Sequence, residues 1–399
     1  MILARLFDKM YKKEGGIILI DYNGQKFICG KPDFNNPITL KLTKKNLNWK
    51  LLINPDLSFP EAYMKGEIKI ENCSLLSFLN LTFKNLGRKE INTAGYVIKK
   101  TLHTWRFFTN FNLPLKSRKN VEHHYDLGED LYNLFLDTKH RQYSCAYFKS
   151  DEDTIEIAQQ NKIDHIIKKL NLKPGQKVLD IGCGWGSMCF EIAKQSECEI
   201  TGVTLSKNQH EYCVKRSKEL KLDNQCNFEL LDYRHLKGQF NRIVSVGMLE
   251  HVGRKFYKTF FKQIDNIMTE DGLALIHTIG STESKGPPQP FIQKYIFPGG
   301  LVPSGSDLID AIEKTGLILA DMESLIHHYD KTLKAWLHNF TTNRNKAKRM
   351  YSEKFCRMWE FYLASCSAAF KYRDLLVYQL QITKNFGSIP SNRRDYIYQ

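Results

Sequence analysis

At 399 residues the chain is long enough to bury proper cores and to form two domains, at roughly 100–200 residues each. Hydrophobic residues make up 42% and charged residues 25%, proportions that exclude a disordered or fibrous protein; no apolar run approaches the ~18 residues of a membrane-spanning helix. The net charge of +15 is uneven, with nine basic and two acidic residues in 84–122 and thirteen and five in 330–399, so the basic flanks call for a polyanionic partner.

The first residues, MILARLFDKMYKKEGG, carry Asp8 and Glu14 and lack a small-residue cleavage site, so they do not read as a secretory signal. A cytoplasmic location is the expectation. Residues 15–71 read as a run of short strands, opening with a hairpin around Tyr22-Asn23-Gly24. Residues 74–110 read as helical, and Pro114 with KSRKN closes the unit, which places a boundary near 115–120. Beyond it, strands are predicted at 177–181, 200–204, 227–230, 241–246 and 273–279, with helices at 155–170, 187–195, 207–220 and 255–269. That alternation predicts a parallel sheet with crossover helices. Residues 331–385 read as helical, with Trp336, Phe340, Trp359, Tyr362 and Phe370 as core aromatics.

In 96–118, Lys99, Lys100, Arg106, Lys116 and Arg118 are interleaved with Tyr96, Trp105, Phe107, Phe108 and Phe111. Rings among basic residues suit a bilayer interface, and they equally suit single-stranded nucleic acid or packing on a neighbouring domain. The ten cysteines include no C-x-x-C pair, so reduced thiols are expected. His123-His124 and His327-His328 are not read as metal ligands, because sequence neighbours point apart.

The sharpest local signal is KVLDIGCGWGSM, a strand carrying Asp180 followed by Gly182, Gly184 and Gly186 and then a helix. The spacing is G-x-G-x-G, and the second strand ends in Thr204 with no acid to hold a ribose in the dinucleotide manner. The Gly-Lys-Ser/Thr ending of a phosphate cradle is also missing. An acid ahead of G-x-G-x-G resembles the first motif of S-adenosylmethionine-dependent methyltransferases. In that fold Thr204 and Gln209 would lie near the cofactor ribose and Asp232 near its adenine.

Longer strings fall in order along the chain: EHHYDLGEDLY (122–132), QYSCAYF (142–148), VLDIGCGWG (178–186), GVTLS (202–206), SVGMLEHVG (245–253), HTIGS (277–281), KYIFPGG (294–300) and HYDKTLKAW (328–336). Together they resemble the cyclopropane-fatty-acid synthase family over about residues 120–385. The resemblance implies a Rossmann-like α/β S-adenosylmethionine-dependent methyltransferase domain at 119–399, preceded by a smaller α+β lipid-handling domain at 1–118. It implies methyl transfer to a cis double bond of a phospholipid acyl chain, followed by proton loss and ring closure. The partners would be anionic membrane phospholipids at the inner face of the membrane, with no nucleic acid, and a homodimer is left open.

By the same resemblance, a bound bicarbonate ion is the base, held by Cys145, Glu250, His277, the backbone of Ile279, and Tyr329. Taken singly, each has an ordinary structural reading. A carboxylate such as Glu250 beside an anion is reasonable only if protonated or bonded through His277, since like charges in one site raise a pKa. The cofactor residues would be Tyr125, Tyr143, Ser144, Asp180, Gly182, Gly184, Gly186, Thr204, Leu205, Gln209, Asp232 and Tyr233, with Asp126 helping to close the pocket. Glu129 and Ser187 depart from the family pattern beside the cofactor loop. Two related activities stay open: an acyl-chain methyltransferase that leaves a methyl branch, and a small-molecule methyltransferase.

Overall fold

A computed structural model describes residues 1–87, 129–283, 289–389 and 394–398. The chain forms two compact units from interleaved segments. The expected boundary near 115–120, with Tyr125, Asp126 and the basic aromatic stretch 96–118, lies outside the described residues.

The first unit draws on residues 1–87, 289–298 and 333–375. Its sheet has four strands in the order β2-β1-β3-β4, with β1 Gly16–Ile20, β2 Lys26–Gly30, β3 Thr39–Leu42 and β4 Ile68–Glu71. The predicted hairpin is present: β1 and β2 are antiparallel, Asp21 Oδ1 accepts the N–H groups of Asn23 and Gln25 at 2.9 Å, and Gly24 takes φ +84°. The stretch read as further strands instead forms helices Leu47–Ile53 and Pro55–Met64. Leu47 and Leu51 share a buried helical face, and Pro55 occupies a first-turn position where its missing N–H is harmless. Helices Arg344–Met350 and Glu353–Tyr372, read from sequence as part of the second domain, pack in this unit.

The second unit holds a seven-stranded sheet in the order β10-β11-β9-β8-β5-β6-β7. Its strands are β5 Lys177–Ile181, β6 Glu199–Thr204, β7 Cys226–Leu230, β8 Phe240–Val246, β9 Met268–Ser281, β10 Ile318–Leu325 and β11 Leu375–Thr383. Strands β5 to β9 pair in parallel, and β10 and β11 are antiparallel to each other. Helices Ile155–Leu170, Ser187–Gln195, Lys207–Glu219 and Tyr257–Ile267 accompany the parallel strands, as expected. The expectation of helix through 385 fails at β11. Residues 376–383 are buried throughout, and Gln379, Gln381 and Thr383 alternate with Leu380 and Ile382 in the period of two that a strand shows. Strand β9 begins at Met268, taking over the end of the helix predicted to reach 269. Among the described residues no helix is long and apolar enough to cross a membrane.

Candidate active site

At the end of β5 the chain turns through Gly182, Gly184 and Gly186, all left-handed at φ +83°, +56° and +79°. A Cβ on Gly182 would stand 2.8 Å from Met248 and one on Gly186 2.9 Å from the Cys213 sulfur, whereas one on Gly184 would meet nothing within 4 Å. Gly182 and Gly186 therefore serve close packing, and Gly184 leaves room for a ligand to approach the backbone. The cavity beside this loop is lined by Tyr143, Ser144, Asp180, Gly182, Gly184, Thr204, Leu205, Gln209, Asp232 and Tyr233. Gly186 starts the helix that follows, as its N-cap.

Polar groups are fixed at the strand ends. Thr204 Oγ1 donates to Gln209 Oε1 at 2.9 Å, and Ser206 caps the helix that carries Gln209. Asp180 is buried and its pKa is pushed up to about 7 by burial, against a contact from the Cys189 thiol at 3.5 Å. Asp232 is gripped by Arg234 through Nε at 2.9 Å and the backbone N–H at 3.0 Å; burial works against its charge, yet these bonds hold it below the usual carboxylate range. Tyr233 packs edge-on against Phe260 at 5.3 Å, and burial raises its hydroxyl to about 12. The glycine cradle, with polar side chains at three successive strand ends, fits an adenosyl cofactor carrying a sulfonium.

The residues assigned to the anion all belong to the second unit. Glu250 Oε1 accepts the Ile279 N–H at 2.6 Å, while its buried Oε2 has no hydrogen-bond partner among the described residues. The Ile279 N–H is thus spent on orienting Glu250, where the resemblance assigned that backbone to the anion. Burial raises the Glu250 carboxyl to about 7 and pushes the fully enclosed Cys145 thiol well above its ordinary value. His277 on β9 is held well below its ordinary value, first by burial and then by the charges of Lys162, Lys169 and His165. Cys145 and Tyr329 belong to segments joined by the Ala146 N–H, which donates to Thr332 Oγ1 at 3.1 Å, and by the Phe148 N–H, which donates to His328 Nδ1 at 3.0 Å.

Sequence reasoning missed the supports. Lys162, fully buried, donates to Gln142 Oε1 and, at 2.9 Å, to Ser144 Oγ; Gln159 donates to the Ser144 carbonyl at 3.0 Å. A signal was present, since Gln159, Lys162 and Lys169 share the helical stripe of Ile155 and Ile166. Arg234 and Gln142 also line the cofactor cavity.

The comparisons agree with this geometry. The family model for mycolic acid cyclopropane synthetase matches residues 114–380. A cyclopropane-fatty-acyl-phospholipid synthase of Escherichia coli is 42% identical over 87% of this chain and 88% of that enzyme. A probable fatty acid methyltransferase of Pseudomonas putida is 36% identical over 69% of this chain and 72% of its own. The solved cyclopropane synthase MmaA2 from Mycobacterium tuberculosis superposes with a TM-score of 0.63 at 33% identity, covering 66% of this chain and 97% of that one. The mycolic acid cyclopropane synthase CmaA1 complexed with SAH and CTAB gives the same TM-score, identity and coverage. The chain therefore belongs to the mycolic acid cyclopropane synthetase family of S-adenosylmethionine-dependent methyltransferases.

Proposed function

We propose that this enzyme adds the methyl carbon of S-adenosylmethionine across a cis double bond of a phospholipid acyl chain and closes it to a cyclopropane, with a bicarbonate ion at Cys145, Glu250, His277 and Tyr329 accepting the released proton. When bound in the glycine-loop cavity, the cofactor supplies an electrophilic methyl group. The protein's own part is to hold the reactants together in a water-poor site and to keep a proton acceptor within reach.

The observation that carries this reading is the buried Oε2 of Glu250, which has no hydrogen-bond partner among the described residues. With its pKa raised to about 7 by burial, the carboxyl is available in its neutral form, whose O–H needs an acceptor. Burial likewise keeps Cys145 as a thiol and His277 as neutral imidazole. The neutral carboxyl and the imidazole have hydrogens to donate, while the Cys145 thiol gives its own to the Ala146 carbonyl at 3.3 Å; such neutral donors suit an oxyanion better than a second carboxylate or a cation. On this reading an anion can lie beside a glutamate without a clash of charges.

A lipid substrate agrees with the activities of the relatives from Escherichia coli and Pseudomonas putida. Peripheral binding to the inner, anionic face of the membrane is supported by exposed Phe34, Trp49 and Ile53 in a segment that also exposes Lys44, Lys45 and Lys50. The basic C-terminal stretch contributes less than its sequence suggests, because Arg344, Lys348 and Arg357 are paired with Glu353, and Arg344 also with Glu360.

Incubation of the purified protein with S-adenosylmethionine and vesicles of unsaturated anionic phospholipid tests the reading. Proton NMR of the extracted lipid should show cyclopropane methylene signals and loss of the vinyl signals. A methyl-branched product, or methylation confined to soluble amines, would contradict it.

A further inference from the structure

His277 does not stand alone in the sheet. Gln379 lies beside it on β11, fully buried, with its amide nitrogen 3.1 Å from His277 Nδ1. The other end of that amide, Gln379 Oε1, takes a hydrogen from Lys169 Nζ at 2.8 Å. Lys169 is itself buried and paired with Glu323, which also accepts from His165 Nε2 at 2.7 Å.

The donor inventory leaves this chain one consistent direction. An ammonium group has only hydrogens to give, so the amide must turn its oxygen to Lys169 and its NH₂ to the ring. His277 Nδ1 is then an acceptor. The hydrogen of a neutral ring must sit on Nε2. From this geometry we infer that Lys169 and Gln379 are positioning residues that lock His277 as the neutral Nε2–H tautomer, the form that donates a hydrogen bond to an oxyanion from Nε2. Protonation of the ring is opposed by burial and by Lys162, Lys169 and His165, and favoured only by Glu323. The inference rests on the proposed function for the identity of the oxyanion, though the lock itself does not.

The test is ¹⁵N NMR of the full-length protein labelled at histidine, free of lipid and bicarbonate. His277 should show an Nε2–H, bare-Nδ1 pattern. In Gln379→Glu the adjacent Lys169 ammonium keeps the new carboxylate ionised, so it can only accept; the hydrogen should move to Nδ1, and the turnover of the fully supplied enzyme should drop by about 10–100-fold. Lys169→Met frees the amide to turn and should give a mixture of tautomers, which keeps the test open if the glutamate variant does not fold. A folded Gln379→Glu protein that retains Nε2–H, or a wild-type ring bearing its hydrogen on Nδ1, overturns the lock. A tautomer that switches in an enzyme indifferent to bicarbonate supports the lock and removes bicarbonate from the proposed function.

Discussion

The glycine-loop cavity and the proposed proton site are built by different means. Around the cavity, backbone shape dominates: three left-handed glycines between a strand and a helix make the cradle, and its polar side chains sit at the ends of β5, β6 and β7. The proton site depends instead on buried side chains joined across long stretches of sequence, with Glu250 bonded to Ile279, His277 to Gln379, and Gln379 to Lys169, 210 positions away. A backbone cradle tolerates change in the side chains around it. A buried polar chain does not, because each group left unpaired costs roughly 1–3 kcal/mol.

Substitution at Glu250 should separate the two regions most strongly. Glu250→Ala removes the carboxyl that would face the anion and leaves the Ile279 N–H unpaired, so kcat should fall by about 10²–10⁴-fold. Binding of S-adenosylmethionine, measured by calorimetry, should be unchanged. Glu250→Gln keeps an oxygen for Ile279 and puts an N–H where the neutral acid has its O–H, so its kcat should stay within about tenfold of the parent. Equal losses in the two variants would show that the neutral carboxyl is not the working form.

Gly184→Val is the converse, expected to injure the cavity and spare the proton site. The side chain would enter the open space before the loop, at a φ of +56° that valine adopts poorly. Strain of about 1–3 kcal/mol, with loss of the close approach, should weaken cofactor affinity by roughly 10–100-fold. Unaltered affinity in a folded variant would remove the loop from the cofactor site.

The same contrast explains how much was legible beforehand. Strands β5 to β8 lie within one residue of their predicted bounds, because each is a short run of strand-forming residues between turn signals, and the glycine loop announces itself through spacing. The matched strings placed Glu250 and His277, but nothing local in LLVYQLQIT marks Gln379 as a partner of a histidine 102 positions earlier. β11 was missed because the helical pattern of Glu353–Tyr372 was carried on past Tyr372, over an alternation confined to Gln379–Thr383. Lys162 and Lys169 carry no mark in the sequence beyond the helical stripe they share with Ile155 and Ile166, which betrays their burial.

The central claim, that neutral Glu250 helps to hold a bicarbonate ion that accepts the proton, is tested most directly by the bicarbonate dependence of turnover at several pH values. Stripping carbon dioxide from the buffer should slow the enzyme, and adding bicarbonate back should restore the rate. Because the buried carboxyl ionises near pH 7, the bicarbonate concentration for half-maximal rate should rise about tenfold per pH unit above that point. It should do so even though the free ion becomes the dominant carbonate species there, and Glu250→Gln should flatten the slope. Turnover that ignores bicarbonate, or a slope retained in Glu250→Gln, would contradict the account.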